Sequence, residues 1–323
     1  MPASIQGKSG MGSALSMRSL HMKRAALRIT LGSFRGFSDY SSKHETAATF
    51  DSRPPTRFLL FMKGAHPSWI VPDWPAPPRV RALMTSRQGG VSGAPWDSMN
   101  LGEHVGDLPA HVHANRQHLS DVMGVRPVFL NQVHGVDSVV LGAATLNGTL
   151  ADACISMETG VSCTVMVADC LPVLLCNAQG RWVAAAHAGW RGLAGLGGIG
   201  VLENLLMSAA LSETHPDQIL VWLGPCIGPQ VFEVGPEVLS AFCDSDPEAA
   251  LFFRPSTPGK WLADLAGLAR LRLKRLGIVQ IFGNNSAPAW CTVTQASVYF
   301  SHRRDSRLFG QSGRMAACIW LTD

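Results

Sequence analysis

The sequence has no apolar run of 18 or more residues, and only 15% of its 323 residues are charged. The first absence excludes an ordinary transmembrane helix, and the second excludes a coiled coil, which needs far more Glu and Lys. The part of the chain after residue 61 is not basic, because residues 62–323 hold 18 Lys and Arg against 20 Asp and Glu. We therefore expect no membrane binding and no nucleic-acid binding. Hydrophobic residues make up 46% of the chain, which is enough for a large core.

No two cysteines have the Cys-x-x-Cys spacing, which argues against a cysteine-rich structural zinc site. Most of the eight cysteines stand in apolar segments, such as the one over residues 162–177. We predict that they are buried free thiols and that the protein works in a reducing compartment, the cytoplasm.

Residues 1–61 differ from the rest of the chain. They contain ten Ser and nine Lys or Arg, but only three Asp or Glu, and they show no sustained periodicity. An organellar presequence, a disordered basic tail and an over-extended gene start with translation beginning at Met62 all fit this composition. We favour the last interpretation, and we predict a single globular domain over residues 62–323.

Strand-like and helix-like segments alternate along this domain, a pattern that predicts an α/β fold. A helix is predicted over 107–124, where Gly124 ends it, and a second over 201–213. Two or three helices are predicted within 235–280. Apolar runs predict strands at 80–86, 127–135, 137–143, 160–169, 171–177, 181–189, 217–224, 290–305 and 313–321.

Three residues that can carry chemistry stand where apolar strands give way to turns: His134, Cys170 and His187. Two imidazoles and a thiolate suit zinc or copper, and a fourth position left open for water or substrate is typical of a catalytic site. The spacing alone leaves two alternatives open. One is that these are ordinary core residues; the other is that Cys170 and a histidine form a nucleophile–base pair oriented by Asp169.

Several arginines at predicted strand ends could bind phosphate or carboxylate through their forked donors: Arg87, Arg191, Arg303, Arg304 and Arg314. The segment GLGGIG at 195–200 matches the dinucleotide fingerprint only in its glycines, because no strand directly precedes it and no acidic residue follows at the required place. We interpret it as a close-packed loop before a helix that begins at 201, where an anion could also bind.

Longer motifs give the sequence a clear resemblance. The segments LNQVHG (130–135), ADACISMETGVSCTVMVADCLPVLLCN (151–177), AAAHAGWRGLAG (184–195) and FSHRRD (300–305) resemble the laccase-domain family, also called YfiH-type or multicopper polyphenol oxidase-like. The resemblance extends over about residues 69–322. It implies a layered α/β sandwich similar to a bacterial toxin deamidase domain. It also implies a metal site at His134, Cys170 and His187, with zinc as the metal and copper as the alternative.

The resemblance further implies a zinc-dependent purine nucleoside phosphorylase acting on adenosine or inosine with phosphate, with methylthioadenosine cleavage and adenosine deamination as additional activities. The expected catalytic residues are His134, Cys170, His187 and Asp169, and the expected substrate- and phosphate-binding residues are Arg87, Arg191 and Arg304. Alternatives are a peptidoglycan-editing hydrolase acting on UDP-muramoyl-serine, a copper-dependent polyphenol oxidase and a non-catalytic binding protein. Nine histidines from residue 62 onward are too few for a multicopper laccase, which needs about ten as ligands. His302 replaces the Tyr expected in FSHRRD, which affects the pocket rim.

Overall fold

The computed structural model describes residues 63–323, so the interpretations of residues 1–61 lie outside the described part of the chain. Its longer helices are α1 (Pro109–Met123), α4 (Pro236–Cys243), α5 (Leu265–Arg275) and α6 (His302–Phe309), and its short helices are α2 (Trp190–Ala194) and α3 (Val201–Leu206). The strands are β1 (Val80–Met84), β2 (Arg126–Phe129), β3 (Ser138–Leu141), β4 (Ala153–Ser156), β5 (Val161–Val167), β6 (Leu171–Asn177), β7 (Val183–Ala188), β8 (Ile219–Leu223), β9 (Glu233–Val234), β10 (Phe253–Pro255), β11 (Trp261–Ala263), β12 (Gln280–Gly283) and β13 (Met315–Leu321).

Two mixed sheets form the centre of the fold. One has four strands in the order β1-β13-β5-β2, and the other has six in the order β12-β8-β6-β7-β4-β3. The sheets face each other across a shared apolar layer, to which the first contributes Cys163 and Ile319 and the second Leu174 and Trp222. Helix α1 packs on the outer face of the first sheet, and α3, α4 and α5 pack on the outer face of the second. The predicted layered α/β sandwich is confirmed.

The central strands are apolar on both faces because each face is covered. In β5, Cys163 and Val165 point to the layer between the sheets, whereas Met166 points towards α1. In β7, Val183 and Ala185 point between the sheets, and the alternate alanines point to the helices. Successive side chains of a strand point to opposite faces of the sheet. Because both faces of these strands are buried, the positions on both faces are mostly apolar, which explains the continuous apolar runs in the sequence.

Most predicted elements are present, with shifted ends. Helix α1 ends at Met123 and is capped by Gly124, whose left-handed conformation (φ 68°) favours glycine. The helix predicted over 201–213 begins at Val201 as expected but stops at Leu206. The eight cysteines are free thiols, and six of them are buried.

The strand predicted over 290–305 is wrong. This segment contains turns and then enters α6, where the Ser301 hydroxyl accepts a hydrogen bond from the backbone N–H of Arg304 at 3.1 Å. A serine at the N-cap position satisfies a backbone donor that would otherwise have no partner, and this favours the helix. The short strands β10 and β11 within 235–280 were not predicted. They form a local antiparallel hairpin, and β11 also pairs with β9 to complete a small separate sheet.

Candidate metal centre

The three chemistry-bearing residues reach the same place from three different elements. His134 lies in the loop after β2, Cys170 in the turn that joins β5 to β6, and His187 within β7. Strand β5 belongs to the four-stranded sheet and β6 to the six-stranded sheet. The turn at 168–170 therefore carries the chain from one sheet to the other, and the site lies at one end of the sandwich.

One ligand atom of each residue lies within 4.8 Å of the others. His134 Nε2 is 3.7 Å from Cys170 Sγ, and the two imidazole rings have centroids 4.8 Å apart with planes at 73°. Within residues 63–323, this is the only group of three or more His, Cys, Asp or Glu side chains close enough to hold a metal ion. A mixed set of two nitrogens and one sulfur matches the ligands preferred by zinc and copper.

A fourth residue, Asp152, organises this group and was missed by the sequence analysis. Its Oδ1 accepts a hydrogen bond from Nδ1 of His187 at 2.8 Å, and its two oxygens also accept from the backbone N–H groups of Val133, His134 and Gly135 at 2.7–3.1 Å. With Nδ1 bonded to Asp152, Nε2 is the nitrogen of His187 that would bind a metal. Carboxylate partners of this kind set the tautomer and orientation of metal-binding histidines.

Electrostatics favour the thiolate. Burial would raise the pKa of Cys170, but the neighbouring charge of His187 and hydrogen bonds from His134 and His187 lower it to about 6. For His187, burial acts to lower the pKa, while Cys170 and Asp152 raise it to about 9. Burial also opposes ionisation of Asp152, but its bonds to His187 and the 133–135 loop lower its pKa. Only the thiolate form of cysteine binds metals or acts as a nucleophile, so Cys170 is prepared for either role.

Two backbone features allow the residues to come so close. A Cβ on Gly189 would lie 2.9 Å from Cδ2 of His134 and 3.0 Å from Sγ of Cys170, so only glycine fits there. His134 itself has φ of 61°, a left-handed conformation unusual for a non-glycine residue. Strain of this kind persists where surrounding contacts hold it, and here the hydrogen bonds to Asp152 do so.

The structure gives Asp169 a different position from the one expected. Its carboxylate accepts hydrogen bonds from Oγ1 of Thr292 at 2.5 Å, Oγ of Ser301 at 3.1 Å and the backbone N–H of Arg303 at 2.6 Å. It therefore ties the turn that carries Cys170 to the C-terminal segment. The histidine-orienting role that the nucleophile hypothesis gave to Asp169 belongs to Asp152 instead.

A cavity of about 650 Å³ opens onto His134, Cys170 and His187. Its lining includes the apolar side chains of Trp190, Ile227, Phe232 and Leu265. It also includes the polar side chains of His104, Asn131, Gln132 and His302, and three arginines, Arg191, Arg303 and Arg314. The guanidinium of Arg191 lies over the ring of Trp190, 4.4 Å from its centroid. The cavity has the size and mixed lining expected of a small-molecule site.

Two predicted anion-binding arginines lie elsewhere. Arg304 does not line the cavity, because its donors bind Asp305 and the carbonyl oxygens of Thr292, Val293 and Tyr299. Arg87 also lies outside the lining and binds Asp97 and the carbonyl of Ala296. Their side chains hold loops together, a placement that does not support a direct role in binding substrate. The glycine-rich loop at 195–200 contributes nothing to the lining either.

The fold and the site define a class of α/β protein with a group of three potential metal ligands at the end of a two-sheet sandwich. A family model described as "Multi-copper polyphenol oxidoreductase laccase" matches residues 81–322. The chain belongs to this family.

Relatives and solved structures agree with that membership. The chain is 48% identical over 257 residues to "Purine nucleoside phosphorylase PA4543" of Pseudomonas aeruginosa, a match that covers 79% of this chain and 99% of the relative. It is 48% identical over 254 residues to "Purine nucleoside phosphorylase YfiH" of Escherichia coli, covering 78% and 98%. The crystal structure of Neisseria meningitidis protein NMB0706 superposes with a TM-score of 0.72 and 45% identity, covering 79% of this chain and 100% of that one.

Proposed function

We propose that this chain is a metal-dependent purine nucleoside phosphorylase that cleaves adenosine or inosine with phosphate. The observation that carries the proposal is the cavity, which brings three cationic side chains and an apolar, partly aromatic wall to a His–Cys–His group. The names of the relatives from Pseudomonas aeruginosa and Escherichia coli support the same reaction.

The donor set fits a metal ion. His134, Cys170 and His187 would hold it, because the thiolate is favoured and Asp152 fixes the ring of His187 so that Nε2 is its metal-binding nitrogen. A bound zinc ion would supply a Lewis acid and leave room for water or a substrate oxygen. We propose zinc as the working metal, with copper as the competitor, since copper binds nitrogen and sulfur ligands more tightly on intrinsic affinity.

In phosphorolysis, an oxygen of phosphate forms a bond to C1′ of the ribose while the bond from C1′ to the purine nitrogen breaks. The purine leaves with the electron pair of that bond and takes up a proton, and the sugar becomes ribose 1-phosphate. The reaction needs phosphate held in line with C1′ and a surface for the base. The arginines of the cavity suit the first requirement, and Trp190, Ile227 and Phe232 suit the second.

Methylthioadenosine cleavage follows as a proposal from the same arrangement, because it breaks the same kind of glycosidic bond. Adenosine deamination is proposed as a further activity, since a metal site with an open position is a common means of activating water against an adenine ring. We place the reaction in the cytoplasm because all eight cysteines are free thiols. None of the helices described, from α1 to α6, is long and apolar enough to cross a membrane.

One observation favours a second candidate function. Cys170, His187 and Asp152 have the arrangement of a nucleophile, a base and the carboxylate that orients the base, with 2.8 Å between Nδ1 and Oδ1. A cysteine hydrolase would use the same thiolate without a metal, and hydrolysis of a muramoyl-serine amide could proceed in this way or with the help of a metal. A multicopper oxidase fits less well, because residues 63–323 provide a single three-ligand group.

The deciding experiment incubates the purified, zinc-loaded protein with adenosine, with and without phosphate, and identifies the products by chromatography. Adenine with ribose 1-phosphate that appears only with phosphate would support phosphorolysis. Inosine formed under both conditions would support deamination. No product from adenosine or inosine, together with serine release from UDP-muramoyl-serine, would overturn the proposal in favour of the hydrolase. Matched assays after chelation separate a metal-dependent reaction from one that needs the thiolate alone.

A further inference from the structure

Positive charge in the cavity is concentrated near the C-terminal strand. Arg303 and Arg314 come from α6 and from the residue before β13, and His104 and His302 stand beside Arg314 in the lining. Asp169 is the only carboxylate among the lining residues, and three hydrogen bonds already occupy its oxygens. The wall around Arg314 therefore offers positive charge with little local compensation.

Arg314 is the most confined of these cations. Its Nη1 donates hydrogen bonds to the carbonyl oxygens of Ser312 at 2.9 Å and Gly313 at 3.2 Å, and its backbone N–H donates to Oδ1 of Asn100 at 2.9 Å. A Cβ on Gly102 would lie 2.8 Å from Cγ of Arg314, so the glycine leaves room for the arginine stem. The side chain is thus held in place rather than free in solvent.

The remaining donors of Arg314 are available. Across residues 63–323, no ion pair involves Arg314, and no described hydrogen bond uses its Nε or Nη2. Neither atom is buried without a partner, so both keep some exposure to solvent, and the residue lines the cavity. Two adjacent N–H donors of a fixed guanidinium match two oxygens of a tetrahedral oxyanion.

The two histidines show the effect of this charge. Burial is the largest cause that lowers the pKa of His104, and the positive charge of Arg314 is the second. The same two causes, in the same order, lower the pKa of His302. Arg314 in turn lies close enough to Cys170 and Asp169 to interact with their charges. The positive charge of Arg314 is therefore next to Cys170 and Asp169, and an anion bound there would offset the charge that lowers the pKa of the two histidines.

We propose that Arg314, flanked by His104 and His302, forms an oxyanion subsite that binds inorganic phosphate next to the metal centre. The assignment rests on the proposed function, in which phosphate is the second substrate. It differs from the assignment made from the sequence, because Arg87 and Arg304 lie outside the cavity. Arg191 is exposed and lies on the Trp190 ring, at the aromatic part of the lining.

The test compares Arg314→Met with Arg307→Met, which removes an arginine from the exposed part of α6 outside the lining. Binding of inorganic phosphate to the zinc-loaded proteins is measured by calorimetry without nucleoside, and KM values for phosphate and adenosine are measured separately. Loss of a charge-assisted, two-donor contact should weaken phosphate binding roughly ten- to hundredfold in Arg314→Met. The binding of adenosine to Arg314→Met should change less than about threefold. The binding of both phosphate and adenosine to Arg307→Met should also change less than about threefold.

A second variant guards against misfolding. Gly102→Ala keeps the charge but pushes on the stem of Arg314, so it should weaken phosphate binding by a smaller factor while leaving adenosine binding intact. Unchanged phosphate binding in both variants would overturn the assignment, as would absence of phosphate binding to the parent protein or an equal loss for adenosine. If the parent protein binds phosphate through Arg314 yet cleaves no nucleoside, the subsite stands and the proposed function fails.

Discussion

Asp152 and His187 are joined twice: Nδ1 of His187 donates to Oδ1 of Asp152 at 2.8 Å, and the backbone N–H of His187 donates to the backbone carbonyl of Asp152 at 2.8 Å. The same carboxylate accepts hydrogen bonds from the backbone of residues 133–135, which carries His134. One buried carboxylate therefore positions two of the three candidate metal ligands, and it links a loop after β2 to a strand of the other sheet.

Asp152→Asn should weaken zinc binding by roughly ten- to a hundredfold, because the amide cannot supply the same charge or accept all four bonds. Turnover at limiting zinc should fall in parallel and recover in part at saturating zinc. Competition with a chromophoric chelator measures the affinity. Asp137→Asn, an exposed change close by in the chain, is the control. Equal zinc affinity in both variants would contradict the role given to Asp152.

Metal binding should depend on pH through His187. In the metal-free protein the pKa of Cys170 is about 6 and that of His187 about 9. Between these values the thiol is already ionised, while His187 carries a proton that zinc must displace. His187 should therefore make apparent affinity rise about tenfold per pH unit over this interval, and its contribution should vanish above pH 9. Chelator competition from pH 6.5 to 9.5 tests this, and a flat profile would argue against it.

Cys170→Ala should abolish both metal retention and turnover, because it removes the only sulfur ligand. Metal content by mass spectrometry and product formation from adenosine are the two measurements. Cys243→Ala, at the half-buried end of α4, is the matched control and should retain both. A Cys170→Ala protein that lacks metal and keeps full activity would reject the metal-dependent mechanism.

Asp169→Asn should lower the free energy of unfolding by about 2 kcal/mol, because a buried carboxylate accepts three hydrogen bonds and the amide cannot replace them all. Asparagine tolerates the left-handed backbone at this position (φ 83°), so the substitution isolates the loss of charge. Thr292→Ser keeps the hydroxyl and should cost less than about 1 kcal/mol. Denaturant unfolding measures both, and equal stabilities would contradict the anchoring role.

Much of the candidate site could be predicted from single residues. His134, Cys170 and His187 each stand where an apolar run meets a turn, and the structure brings their ligand atoms within 4.8 Å. Asp152 gave no such signal, since it lies just before β4, where no strand was predicted, and acts through contacts with residues 133–135 and 187. The strand expected at 290–305 failed because a serine cap and burial of Asp305 outweigh the apolar pattern of that segment.

The sequence by itself determined the α/β class and the buried strands, because local periodicity and turn residues encode these features. It pointed to His134, Cys170 and His187 as candidate metal ligands through the family resemblance of the segments that carry them. Tertiary structure decided which arginines face the cavity and which carboxylate orients a histidine. These outcomes depend on the way two sheets pack, and the contacts involved join residues far apart in the chain, such as Asp169 with Thr292 and Ser301. A guanidinium can bind carbonyl oxygens as readily as substrate, and only its surroundings in the folded chain distinguish Arg304 from Arg314.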